Sequence, residues 1–116
     1  NILAAHALSP KVRPRLLKRT RDYIRNGFPV LEAWMNTQDG LFSYTPPQAS
    51  AVAFIRYHLD INSTELMERL CREASVFVGA GDSFGMDHHL RIAFGQERAV
   101  LEEAFSRIDK TLASVA

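Results

Sequence analysis

The chain has 116 residues, a formal net charge of +1 and hydrophobic residues at 47% of its positions. This is one domain with enough apolar surface for a core, and the near-neutral balance argues against a whole-surface nucleic-acid binder. No apolar run approaches the ~20 residues that cross a bilayer, the opening residues show no basic-then-apolar leader, and a single cysteine excludes an internal disulfide, so the expected location is the reducing cytoplasm.

Asn1 is followed by Ile2-Leu3-Ala4-Ala5-His6-Ala7-Leu8, which reads as the tail of a helix. Residues 1–8 are therefore expected to finish a preceding element, and the chain to be a C-terminal piece of a longer one. Ser9-Pro10 predicts a helix start, serine capping and proline in the first turn. Val12, Leu16, Leu17, Tyr23, Ile24, Val30, Leu31, Trp34 and Met35 then fall on one helical stripe. Pro29 keeps the register, which predicts a kink near Arg25–Pro29 and no break, and Gly40 after Asp39 predicts the stop. A long kinked helix over 9–38, of about 28 residues, would span about 42 Å, too long for a compact domain of this size. Part of it is expected to rest on something outside the chain. Lys11, Arg13, Arg15, Lys18, Arg19, Arg21 and Arg25 give it half of the 14 lysines and arginines. They surround the helix without interleaved stacking aromatics, so a solvated or subunit-facing surface is expected and no nucleic-acid partner.

Residues 39–116 read as a small α+β unit. Leu41-Phe42-Ser43-Tyr44 predicts a short strand, ended by the rigid Thr45-Pro46-Pro47 turn. Ala51–Tyr57 predicts a second strand with apolar residues on both faces, so both are expected to be covered, with Arg56 an outward edge charge. Asn62 with Glu65 predicts a capped helix start, and Leu66, Met67, Leu70, Cys71 and Ala74 its buried stripe. Cys71 is then a small core residue with an inert thiol. The last helix is expected over about Glu97 to Ser114, with Leu101, Ala104, Phe105, Ile108 and Leu112 inward.

The most informative stretch is 76–94. Val76-Phe77-Val78 predicts a short strand ended by Gly79 and Gly81. In a second strand Leu90, Ile92 and Phe94 alternate with Arg91 and Ala93, which aims Arg91 away from the core and leaves small Ala93 beside it. An outward arginine there either clamps a carboxylate through its planar, permanently charged fork or is a solvated charge on an open sheet face; the pattern leaves both readings standing. His88-His89 with Asp82 and Asp87 is expected to be polar loop chemistry and not a metal site, because adjacent strand residues point to opposite faces. Nothing orients Ser83, Asp82 and His88 as a hydrolytic set.

Gly81-Asp82-Ser83-Phe84-Gly85, then Leu90-Arg91-Ile92-Ala93-Phe94, then a final helix over 97–114 resembles the C-terminal small domain of fold-type I, pyridoxal-phosphate-dependent aminotransferases of the aspartate aminotransferase class. The resemblance covers essentially the whole chain, the long helix included, which in that family leaves the large domain and enters the small one. It implies that Arg91 binds the α-carboxylate of an amino-acid substrate, with Ser83, Phe84 and His88 as further substrate-side candidates. It also implies that the 79–89 loop and the Pro46–Pro47 turn border the entrance. The parent would be a homodimer that moves an amino group between an amino acid and an α-keto acid. Lyases and decarboxylases of the same fold family use the same wall, and a stand-alone α+β binding module is the rival class.

Gly79-Ala80-Gly81-Asp82 is also similar to the signature of ribokinase-type sugar kinases. That chemistry needs a helix directly after the aspartate, and here Gly85 and a strand pattern follow. In the aminotransferase family the cofactor-holding lysine lies in the large domain. The lysines here, Lys11, Lys18 and Lys110, fall on helix faces expected to be solvated, so the isolated chain is expected to bind no cofactor and to be inactive. The expected fold is a small, mostly antiparallel sheet of three or four strands with helices packed on one face.

Overall fold

A computed structural model describes residues 1–115, and residue 116 lies outside them. In chain order the elements are α1 (Ile2–Ala7), α2 (Arg13–Asn36), β1 (Phe42–Ser43), β2 (Val52–Tyr57), α3 (Ser63–Ala74), β3 (Gly79–Ala80), β4 (His89–Ala93) and α4 (Arg98–Val115). The strands form one antiparallel four-stranded sheet in the order β1-β2-β4-β3.

Alternation builds its centre. Ala53 pairs with Ile92 and Ile55 with Leu90, so the buried residues of both strands share a face. Leu31, Trp34 and Met35 of α2, Leu66 and Leu70 of α3, and Leu101, Phe105 and Ile108 of α4 complete one core against it. The α+β architecture is the one that the sequence leads to, and all three long helices lie on one side of the sheet.

The opposite face of β2 is open, which corrects the expectation of cover on both sides. Val52 and Arg56 are exposed and Phe54 is half-buried, because the helices are committed to the Ala53–Ile55–Tyr57 side.

The long helix starts at Arg13 and not at Ser9-Pro10. The Ser9 carbonyl accepts from the Val12 and Arg13 N–H groups at 3.2 and 2.9 Å, which makes residues 9–12 a turn after α1, and Pro14 is the first-turn proline. From there 24 residues run unbroken through Pro29. Only the C-terminal half of α2 is packed: its buried residues are Gly27, Leu31, Trp34 and Met35, whereas Leu16 and Leu17 are exposed, as are Ile2 and Leu3 of α1. Trp34 stacks on Phe105 at 4.6 Å and its Nε1–H donates to Asp109 Oδ1 at 2.8 Å, fastening α2 to α4. At Gly27 the helix passes so close to the end of β4 that a Cβ would collide with the Phe94 carbonyl oxygen.

In α3, Asn62 Oδ1 accepts from the Thr64 and Glu65 N–H groups at 2.9 and 3.4 Å, the capped start expected. The buried positions are Ser63, Leu66, Leu70 and Ala74. Cys71 lies one position round from that stripe and is exposed, so the core placement read for it is corrected. Val76–Val78 takes no part in the sheet, the Val76 N–H donating instead to the Leu70 carbonyl at 3.2 Å, and the ladder to β4 begins only at Gly79–Ala80. The glycine expected to end the strand is the residue that makes its first pair. Among the described residues, no helix is long and apolar enough to cross a membrane.

Candidate substrate-facing site

Arg91 stands in the middle of the open sheet face. Its cross-strand neighbours are Phe54 on β2 and Gly79 on β3, and His89 and Ala93 flank it along β4. Gly79 leaves the floor clear: a Cβ there would sit 3.0 Å from Arg91 Cβ and 3.3 Å from its Nε. The guanidinium carbon lies 5.4 Å from the centre of the Phe84 ring, a cation–π contact. Phe84 meets Phe54 edge-on at 6.3 Å, and Phe54 stacks on His89 at 5.0 Å. Among the described residues no carboxylate pairs with Arg91 and no hydrogen bond engages its guanidinium. The result is a charged fork held by an aromatic ring and left free to accept an anion.

The loop that carries Phe84 is tied to the start of α3. A single 3₁₀ turn, Gly81–Phe84, closes on Gly85 in the left-handed region, where φ is +75°. Asp82 N–H donates to the fully buried Ser63 Oγ at 2.8 Å, and Thr64 Oγ1 donates to Asp82 Oδ2 at 3.2 Å. Asp87 Oδ1 accepts from the Ser63 and His88 backbone N–H groups, both at 2.7 Å, and Asn62 Nδ2 donates to Oδ2 at 2.9 Å. Those backbone donors hold the Asp87 carboxyl down at about 2. Both aspartates therefore serve the junction between loop and helix. The Tyr57 hydroxyl donates to the Ile61 carbonyl at 2.6 Å beneath it, and burial first, then Asp87, Asp82 and Glu65, push its pKa up.

Of the substrate-side candidates, Arg91 and Phe84 are brought together. Ser83 is exposed in the 3₁₀ turn and its hydroxyl makes no hydrogen bond among the described residues. His88 departs from the strand alternation, because its φ of 62° places it in a turn ahead of β4. Its ring packs against Tyr57 at 5.6 Å and its Nδ1 lies 3.7 Å from Asp87, whereas His89 is the histidine beside Phe54 and Arg91. His89 Nδ1 donates to the Asp87 carbonyl at 3.0 Å, which leaves Nε2 as the unprotonated nitrogen of the neutral ring. The two histidines diverge, and among the described residues no three His, Cys, Asp or Glu side chains converge as metal ligands. Pro47 lies with Phe28 and Phe94, beyond the Ala93 end of β4.

Phe54 belongs to this face and escaped the sequence reading, which placed Gly79 and His89 only within the 79–89 loop and named His88 as the candidate. The signal for His89 was present, since it stands two residues before Arg91 and shares its face by strand alternation. The partners from β2 and β3 require the register, which no local pattern contains.

Pyridoxal phosphate needs an amine to hold its aldehyde and donors to cradle its phosphate. Lys11, Lys18 and Lys110 are all exposed, Lys18 pairs with Asp22 at 2.7 Å, and none lies on the face of Arg91. None of the three lysines is therefore placed to hold the aldehyde beside Arg91.

A family model described as aminotransferase class I and II matches residues 5–108. A capreomycidine synthase of Streptomyces vinaceus is 31% identical over 101 residues, which are 87% of this chain and 25% of that protein. The fold superposes on a PLP-dependent aminotransferase of Streptococcus suis with a TM-score of 0.86 at 22% identity, covering 99% of this chain and 30% of that one. For a tyrosine aminotransferase of Leishmania infantum the TM-score is 0.73 at 29% identity, covering 81% and 24%. The chain spans about a quarter of the length of the curated relatives it matches.

Proposed function

The chain belongs to the aminotransferase class I and II family, and we propose that it is the small C-terminal domain of such an enzyme, with Arg91 as the clamp for the substrate α-carboxylate. The observation that carries this is the unpaired Arg91 guanidinium on an open sheet face, held in place by Phe84 and given room by Gly79. A bidentate, charge-assisted pair of this kind contributes about 1.5–3 kcal/mol. It orients the amino acid as well as binding it, since two parallel hydrogen bonds fix the carboxylate plane.

In this proposal the cofactor of the whole enzyme is pyridoxal phosphate, and its lysine comes from outside this chain. What the residues here do is bind and position: Arg91 takes the carboxylate, Phe84 and Phe54 exclude water beside it, and the Asn62–Asp87 junction keeps the Phe84 loop in register. An exposed guanidinium gains most when a second wall closes over it, which supports a role for this domain in closure over substrate. The exposed Leu16, Leu17, Ile2 and Leu3 support a long helix that packs against further protein, and weigh against a stand-alone binding module.

A second reading, a lyase or synthase built on the same wall, draws support from the identity to capreomycidine synthase. The absorption spectrum of the enzyme containing this chain, loaded with pyridoxal phosphate, separates the two. A transaminase shifts the cofactor band on addition of an amino acid and restores it on addition of an α-keto acid. A one-way conversion without restoration by the keto acid favours the lyase or synthase, and no response to any amino acid contradicts both.

A further inference from the structure

The surroundings of Arg91 carry information about what is attached to the carboxylate. A cavity of about 300 Å³ opens beside the guanidinium, and apart from Arg91 its walls are Val52, Phe54 and Phe84. Among the described residues no acceptor or second cation lines it. Arg56, the other cation on this face, stands two residues further along β2, opposite His89, and takes no part in the cavity wall. On the Val52 side of Arg91 the next atoms of a bound carboxylate therefore meet hydrocarbon, whereas His89 flanks Arg91 on the opposite side along β4.

We infer that this site selects amino acids with apolar or aromatic side chains over dicarboxylic ones, with Val52, Phe54 and Phe84 as the specificity-determining residues. The inference rests on the reading of Arg91 as a carboxylate clamp and adds the substrate class. A polar or charged group laid in this depression gains no hydrogen bond from its walls, and it loses its water once a second wall covers it. A hydrocarbon group gains by leaving water, and its contact with Phe84 also shields the Arg91–carboxylate pair from solvent.

The test is a set of titrations of the complete enzyme that contains this chain, labelled at arginine and phenylalanine, with acetate, hydrocinnamate and glutarate, followed by NMR at the Arg91 Nε–H and at the Phe54 and Phe84 rings. Hydrocinnamate is expected to bind about tenfold more tightly than acetate, the effect of burying roughly two methylene equivalents, with glutarate no tighter than acetate. In Val52→Thr that preference is expected to shrink several-fold while the spectrum stays dispersed. Equal affinity for acetate and hydrocinnamate at Arg91 would overturn the substrate class and leave the clamp standing. Tighter glutarate binding that is lost in Arg56→Gln would overturn it in favour of dicarboxylates. No response at Arg91 to any of the three would remove the clamp, and this inference with it.

Discussion

Gly79 faces Arg91 across the β3–β4 ladder, and a methyl group on Gly79 would lie 3.0 Å from Arg91 Cβ and 3.3 Å from its Nε. The absence of a side chain at one position thus decides where the guanidinium at the other can lie. Gly79→Ala is expected to displace the Arg91 side chain with a stability cost near 1 kcal/mol, because an exposed side chain and a short edge strand can give way. In the enzyme, KM for the amino acid is expected to rise about fivefold, an effect of ~1 kcal/mol. Unchanged KM would mean that Arg91 does not need the floor that Gly79 clears.

Gly27 makes the corresponding prediction for the fold. A Cβ there collides with the Phe94 carbonyl oxygen, a backbone atom at the end of β4 that cannot rotate away. Gly27→Ala is expected to cost about 3 kcal/mol or more, by forcing α2 off the sheet. Denaturant unfolding checks it, and a variant within about 0.5 kcal/mol of the parent would show that the helix shifts freely.

Asp87 should give the stability a pH dependence. Its carboxyl is held at about 2 by the Ser63 and His88 N–H groups, well below the ordinary ~3.9. A depressed native pKa means that the unfolded chain takes up the proton first. The stabilisation is therefore complete above about 3.9 and is lost as the pH falls through about 2. Asp87→Asn is expected to melt lower than the parent at neutral pH, with the gap closing towards about pH 2. A gap independent of pH would assign the effect to packing and not to the charged hydrogen bonds.

Local signals were legible where one element decides the outcome. The alternation of Leu90, Ile92 and Phe94 fixed the outward face of Arg91, and Asn62 announced the start of α3. Contacts made by distant segments were not. Val76–Val78 has strand composition, yet β4 pairs with Gly79–Ala80, since pairing depends on which residues lie alongside β4. The apolar second face of β2 suggested cover, but Phe54 packs on that open face against Phe84 and His89 and not in the core. His88 was favoured over His89 because proximity in sequence says nothing of the positive φ that turns His88 towards Tyr57. Ser9-Pro10 carried a helix-start signal, but the Ser9 carbonyl closes a turn and the helix begins at Arg13, with Pro14 behind it.

Whether Arg91 holds the α-carboxylate is read from substrate discrimination by Arg91→Lys in the enzyme containing this chain. Lysine keeps the charge and loses the planar fork. For amino acids kcat/KM is expected to fall about 10- to 100-fold, the size of a lost bidentate pair, with little change for the corresponding amines that lack the carboxylate. Equal loss for amino acids and amines, or no loss for either, would contradict it.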